Sequence, residues 1–183
     1  EAFDVERPKY IRQGNAAQVS KLVADMKAGR VGAVLIDGVN PAYSLPNAVD
    51  FVEGLDKVGL AVSCSFNNDE TAQASKYVAA SSHYLEAWND IEMKKGHFSL
   101  TQPTIRELFD TRQFQSCLLS WMESDKTYYE YLKDNWLASI LNGGSWNKAL
   151  QDGVFAAVTQ PIEVEENVTT ATDDDESTED LTA

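Results

Sequence analysis

Gly38, Asn40 and Pro41 interrupt an apolar run, Val31 to Ile36, and lead through Ser44 and Pro46 into what reads as a helix. A strand that breaks abruptly into a helix is where an open α/β sheet holds ligands, because the carboxyl ends of its strands face a crevice. The backbone N–H groups around Gly38 could cradle an anion. The dinucleotide fingerprint, however, needs three glycines at set spacing, and the P-loop needs Gly-Lys followed by Ser or Thr. Neither is present. Taken alone, Gly-x-Asn-Pro reads as a plain turn rather than a ligand site, since Gly, Asn and Pro each favour one.

The remaining candidates for chemistry are sparse. Ser81, Ser82 and His83, with Glu86 close by, offer the residue types of a hydrolase triad. Neighbours along a chain rarely meet triad geometry, and no G-x-S-x-G elbow accompanies them. His97, beside Lys95 and Gly96, reads as a solvated surface histidine. Cys64 and Cys117 lie far apart in apolar contexts, and no C-x-x-C pair exists to hold zinc or an iron-sulfur cluster; both read as buried free thiols.

The elements that must position these residues are marked by caps and periodicity. Asn15 with Gln18 opens a helix whose stripe is Val19, Leu22, Val23 and Met26, ending at Gly29. Val31 to Ile36 is apolar on both faces, as in a central parallel strand. Ser44, with Pro46, caps a helix striped by Ala48, Phe51, Val52, Leu55 and Val58. Residues 60–66 form a second strand, Asn67 with Glu70 opens a helix, and residues 78–81 form a third strand. This α-β-α-β-α-β order predicts a three-layer, Rossmann-like parallel sheet with helices on both faces. Residues 91–105 break the rhythm: Lys94-Lys95-Gly96 reads as a turn between short extended pieces, followed by a proline, and the whole as an irregular excursion. Asp110 with Gln113, then Ser124 or Asp125, open two aromatic-rich helices expected to form a hairpin on a sheet edge. A last helix from Ser145 and a short run near residue 154 complete the set.

The 183 residues suffice for one body, expected over 1–160, and the net charge of −14 is unevenly spread. Nine of the 29 acidic residues fall between Glu163 and Asp180, where there is no base, leaving 20 acids against 15 bases elsewhere. Residues 161–183 are therefore expected to be a disordered acidic tail or linker. No basic cluster suits nucleic acid, and no apolar stretch is long enough to span a bilayer.

Several segments in one order bring out a resemblance. Gly-x-Asn-Pro after the first strand, DETA after the second, and a histidine loop leading to Leu-Glu resemble the large molybdopterin oxidoreductases. SLPNA, DETA, HYLEAW, QPTI and LFDTRQF resemble more closely the molybdopterin-oxidoreductase-like iron-sulfur subunit of bacterial alternative complex III, a respiratory quinol-oxidising assembly. The likeness runs from about residue 17 to 140.

The resemblance implies a fragment of a longer polypeptide whose iron-sulfur clusters lie elsewhere. It implies that Gly38, Asn40, Pro41, Ser44, Glu70 and Thr71 match the crevice near the nucleotide portion of a molybdopterin guanine dinucleotide. Cofactor-holding relatives continue from the third strand into Leu-Pro and later carry Asn-x-Glu-Gly-Arg; this chain has Ala79-Ala80 and MKKGHFS instead. These departures imply a vestigial site that holds no cofactor, in a non-catalytic scaffold for other domains and subunits of the electron-transport complex. The alternative is a cofactor-contacting domain of an active molybdopterin-dependent oxidoreductase. The implied location is the bacterial cell envelope, on the outer, periplasmic face of the inner membrane, held there by other subunits.

Overall fold

The computed structural model describes residues 7–11 and 13–157. The acidic segment 161–183 lies outside the described residues.

Three short strands, β1 (Ala33–Asp37), β2 (Leu60–Ser65) and β3 (Tyr77–Ala80), form a parallel sheet in the order β1-β2-β3. The register sets Leu35 beside Val62 and Val62 beside Tyr77. Helices α1 (Ala16–Lys27), α2 (Pro41–Ser44), α3 (Ala48–Leu55) and α4 (Glu70–Ala74) are packed on one another, joined by contacts between α1 and α3, α2 and α3, and α2 and α4. Val23, Met26, Phe51 and Leu55 from this layer bury Ile36 and Ala61 of the sheet. The helices come close: a Cβ on Gly54 would lie 3.0 Å from Met26 Cβ, so no larger residue fits without moving α1 from α3. Lys27 reinforces the contact by pairing with Asp50 and Glu53.

Strand order explains why the helices share a face. Right-handed crossovers that advance in one direction lay each helix on the same side, and only a reversal of strand order reaches the other side. The order β1-β2-β3 has no reversal. On the second face, Trp121 at the end of α5 (Phe114–Trp121) lines a groove together with Leu35, Leu60, Val62 and Tyr77. What is observed is therefore a mixed α/β body with a three-stranded parallel sheet, helices stacked on one face, and a single helix approaching the other.

The stretch expected to be irregular is ordered. β4 (Asn89–Lys94) and β5 (His97–Thr101) form an antiparallel hairpin, and β6 (Val154–Ala156) joins β5 to complete a second sheet, β4-β5-β6. The turn depends on Gly96, whose φ of +76° suits glycine, and its N–H donates to Glu92 Oε1 at 2.7 Å. This sheet offers a face to α6 (Tyr128–Asn135), a π-helical turn (Trp136–Ile140) and α7 (Trp146–Asp152). Leu100, Leu132, Trp136, Ile140 and Trp146 form a second core there, with Phe98 and Tyr129 packed against it. The two aromatic-rich helices touch each other as expected of a hairpin, with α6 packed on the second sheet and Trp121 at the end of α5 beside the parallel one. Trp136 is fully buried, and its indole N–H donates to Asp90 Oδ2 at 2.8 Å, tying the helical layer to β4.

Caps differ from expectation where several polar residues compete. Asn15 and Ser145 cap as the sequence indicates, accepting from Gln18 N–H and Lys148 N–H. The cap of α4 is Asp69 rather than Asn67, and that of α6 is Thr127, in a capping box with Glu130, rather than Ser124 or Asp125. Ser44 does not open the long helix. It ends the short α2, and α3 begins separately after Asn47, because Pro46 lies between the two and lacks an N–H to continue a helical ladder.

Candidate functional site

The carboxyl ends of β1 and β2 bring together residues from the two segments that follow them. Gly38 leaves β1 with φ +63°, and its N–H donates to Cys64 O at 3.1 Å, which folds the turn back across the sheet. Asn40 follows at the head of α2. Its carboxamide Nδ2 donates to Glu70 Oε2 at 2.7 Å, while Thr71 Oγ1 donates to its Oδ1 at 2.7 Å and Thr71 N–H does so at 3.3 Å. The fully buried Thr71 hydroxyl in turn accepts from Ala42 N–H at 2.9 Å. Pro41 supplies the fixed φ at the start of α2. The turn that carries Asn40 and the one that carries Thr71 are thereby locked to each other.

The polar groups of the cluster are largely satisfied by one another. Asn40 O accepts from the N–H groups of Tyr43 and Ser44 and from Ser44 Oγ, the last at 2.8 Å. Ala42 N–H, Thr71 N–H, the Thr71 hydroxyl and the Asn40 amide all have partners within the cluster. Glu70 is exposed, and the hydrogen bond from Asn40, helped by its own backbone N–H, holds its carboxyl below the usual range. The residues singled out in the sequence are therefore gathered in one place and spent mainly on one another.

Sequence reasoning missed the supporting layer. Asp69 accepts from Ala72 N–H at 2.8 Å and lies 3.1 Å from Ser65 Oγ, which donates to Asn67 O at 2.7 Å. Its signal was a carboxylate directly before Glu70-Thr71, the ordinary place for an N-cap. Beside this, Cys64 is buried on β2 with Cys117 and Asp37 as electrostatic neighbours; burial is the main cause that pushes its thiol up to about 11. Cys117 on α5 is half-buried. Burial likewise raises the Asp37 carboxyl above its ordinary value.

The other imagined constellation does not assemble. His83 Nδ1 accepts from Leu85 N–H, and the Glu86 carboxylate accepts from His83 N–H and Leu108 N–H. Ser82 Oγ accepts from Thr111, and Ser81 Oγ is buried without a partner. No hydrogen bond links these hydroxyls to His83. His97 is exposed on β5, as expected of a surface residue. Among the described residues, no group of three or more His, Cys, Asp or Glu side chains is arranged to hold a metal ion, and no helix is long and apolar enough to cross a membrane.

Comparison with known proteins adds the ancestry. No protein-family model matches the chain. The molybdopterin-binding-like subunit of menaquinone reductase from Nitratidesulfovibrio vulgaris is 32% identical over 116 residues, which are 61% of this chain and 17% of that protein. Acetylene hydratase from Pelobacter acetylenicus shares the fold with a TM-score of 0.60 at 17% identity, over 76% of this chain and 20% of its own. The chain thus spans a fifth or less of each of these two proteins. Over those 116 residues the chain is similar in sequence to a molybdopterin-binding-like subunit, and it shares its fold with part of acetylene hydratase.

Proposed function

We propose that the chain is a non-catalytic scaffold domain of a larger molybdopterin-oxidoreductase-like subunit, working in a respiratory quinol-oxidising complex of the alternative complex III kind. The observation that carries this reading is the closed hydrogen-bond network of Asn40, Ala42, Glu70 and Thr71. A crevice that serves a dinucleotide keeps amides and hydroxyls directed at the ligand. Here those groups are mutually satisfied, so the residues present do not fit the pterin dinucleotide as they stand. The turn persists because it staples two segments together.

The name of the curated relative, a molybdopterin-binding-like subunit of a menaquinone reductase, supports membership of a membrane-associated electron-transfer assembly. On this reading the partners are other domains and subunits, and iron-sulfur clusters belong to other parts of the parent chain. The complex would sit on the outer face of the inner membrane, with this domain held there by its neighbours. Bound cofactor and turnover of the Asn40→Ala variant in the parent assembly test the proposal. A scaffold keeps its turnover and carries no pterin with or without the change, whereas a cofactor-contacting domain of an active enzyme loses cofactor and turnover together.

A further inference from the structure

The second face of the parallel sheet carries a groove of about 570 Å³ floored by Leu35, Leu60, Val62, Tyr77 and Ala79 and walled by Trp121. No charged residue lines it. Parallel sheets are ordinarily buried on both faces, which is why their strands are apolar on both sides. On this one, Leu35, Leu60 and Tyr77 are 42 to 55% exposed, and Trp121 at the end of α5 is 51% exposed. We propose that the groove seats an amphipathic helix supplied by the rest of the oxidoreductase subunit, lying beside α5 and completing the second helical layer; this rests on the reading of the chain as one domain of that subunit.

Continuity with an interface already made supports a helix. α5 has taken one part of this face, with Cys117 beside Cys64, and the groove is the part next to it. Length agrees as well. Strands of five and six residues extend about 17–20 Å, which a helix of about 12 residues matches. Its stripe would follow i, i+3, i+4, i+7 spacing. Topology gives the reason for the vacancy: because β1-β2-β3 advances without reversal, its own crossovers cannot cover this side, and a unit from elsewhere must.

Two other occupants fit worse. The acidic segment of this chain, with nine carboxylates and no base between Glu163 and Asp180, has the wrong chemistry for a groove without charge. A second copy would meet the groove with the same concave surface, leaving both unfilled.

Site-specific photo-crosslinking in the complete parent protein tests this. A benzophenone amino acid is placed at Tyr77 and, in a separate variant, at Leu60, with Tyr43, an exposed residue of α2, as control. The expected result is a crosslink from positions 77 and 60, at least ten-fold above the control, to one peptide outside residues 1–183 with apolar residues at helical spacing. Crosslinks to a second copy of residues 1–183, to lipid, or no more than the control gives, would overturn the proposal. A parent chain that runs at the 20.2 kDa of these residues alone would instead overturn the larger-subunit reading and the proposal with it.

Discussion

Asn40, at the head of α2, and Thr71, in the first turn of α4 and 31 residues on in sequence, are joined by a 2.7 Å hydrogen bond from a hydroxyl with no exposure to solvent. The bond closes a circuit in which Ala42 N–H donates to that hydroxyl and the Asn40 carboxamide donates to Glu70. A buried hydroxyl that loses its acceptor costs more than the bond itself was worth, because nothing replaces the water it gave up.

Asn40→Ala should therefore destabilise the fold by about 1–3 kcal/mol, and Thr71→Val by a similar amount, since each strands a buried donor. Because both changes break the same circuit, the double variant should lose less than the two single losses added together. Urea unfolding of the three variants measures this. Full additivity would mean that the circuit is not a unit.

The Glu70 carboxyl is held below its ordinary range in the folded state. A depressed carboxylate contributes stability above its unfolded pKa of about 4.3, and that contribution is lost as pH falls through the folded value. The stability difference between the native chain and Glu70→Gln should be largest near neutrality and shrink steadily below about pH 4. Taking the difference removes the parallel effects of Asp25 and Glu130, which are depressed by their own partners. Urea midpoints across that pH range would reveal a constant difference if the Asn40 bond were not responsible.

Cys64 is 1% exposed and its thiol is raised to about 11, so almost none is thiolate at neutral pH. Labelling of the native chain with a thiol-specific disulfide reagent should be slow at Cys64, at the rate of opening of the fold, and faster at the half-buried Cys117. Peptide mapping of partly labelled protein tells the two apart. Equal rates would place Cys64 nearer solvent than the packing of β2 allows.

Trp136 is fully buried and bonded to Asp90 through its indole N–H. Trp136→Phe should cost about 1–3 kcal/mol, leaving the Asp90 carboxylate short of a donor, and Trp136→Ala about 3–5 kcal/mol through the cavity it opens. Thermal unfolding of both variants reads the order. A Phe variant as unstable as the Ala variant would shift the weight from packing to the hydrogen bond.

The sequence made the parallel sheet legible because its signals are local: Val31 to Ile36 and residues 60–66 are apolar on both faces, and Asn15 stands three residues before Gln18. It misled where several good caps crowd together. Ser124, Asp125 and Thr127 can each start a helix, and only Thr127 can reach Glu130 reciprocally while Tyr129 and Leu132 enter the second core. The turn between β4 and β5 was legible at Lys94-Lys95-Gly96, but their order as a sheet was not, because it comes from a core supplied thirty or more residues later by Trp136 and Trp146. In the site, Gly38 to Ser44 could be read as a turn from composition alone. Its pairing with Glu70 and Thr71 could not, since no spacing rule joins residues that meet only through the crossover; the family resemblance supplied it.

The most direct test of the scaffold role is metal analysis of the intact parent protein, purified from its own organism, counting molybdenum, tungsten and iron per polypeptide. The scaffold role predicts iron without molybdenum or tungsten. Molybdenum or tungsten near one per chain would contradict it and make the turn from Gly38 to Ser44 a working part of a cofactor site.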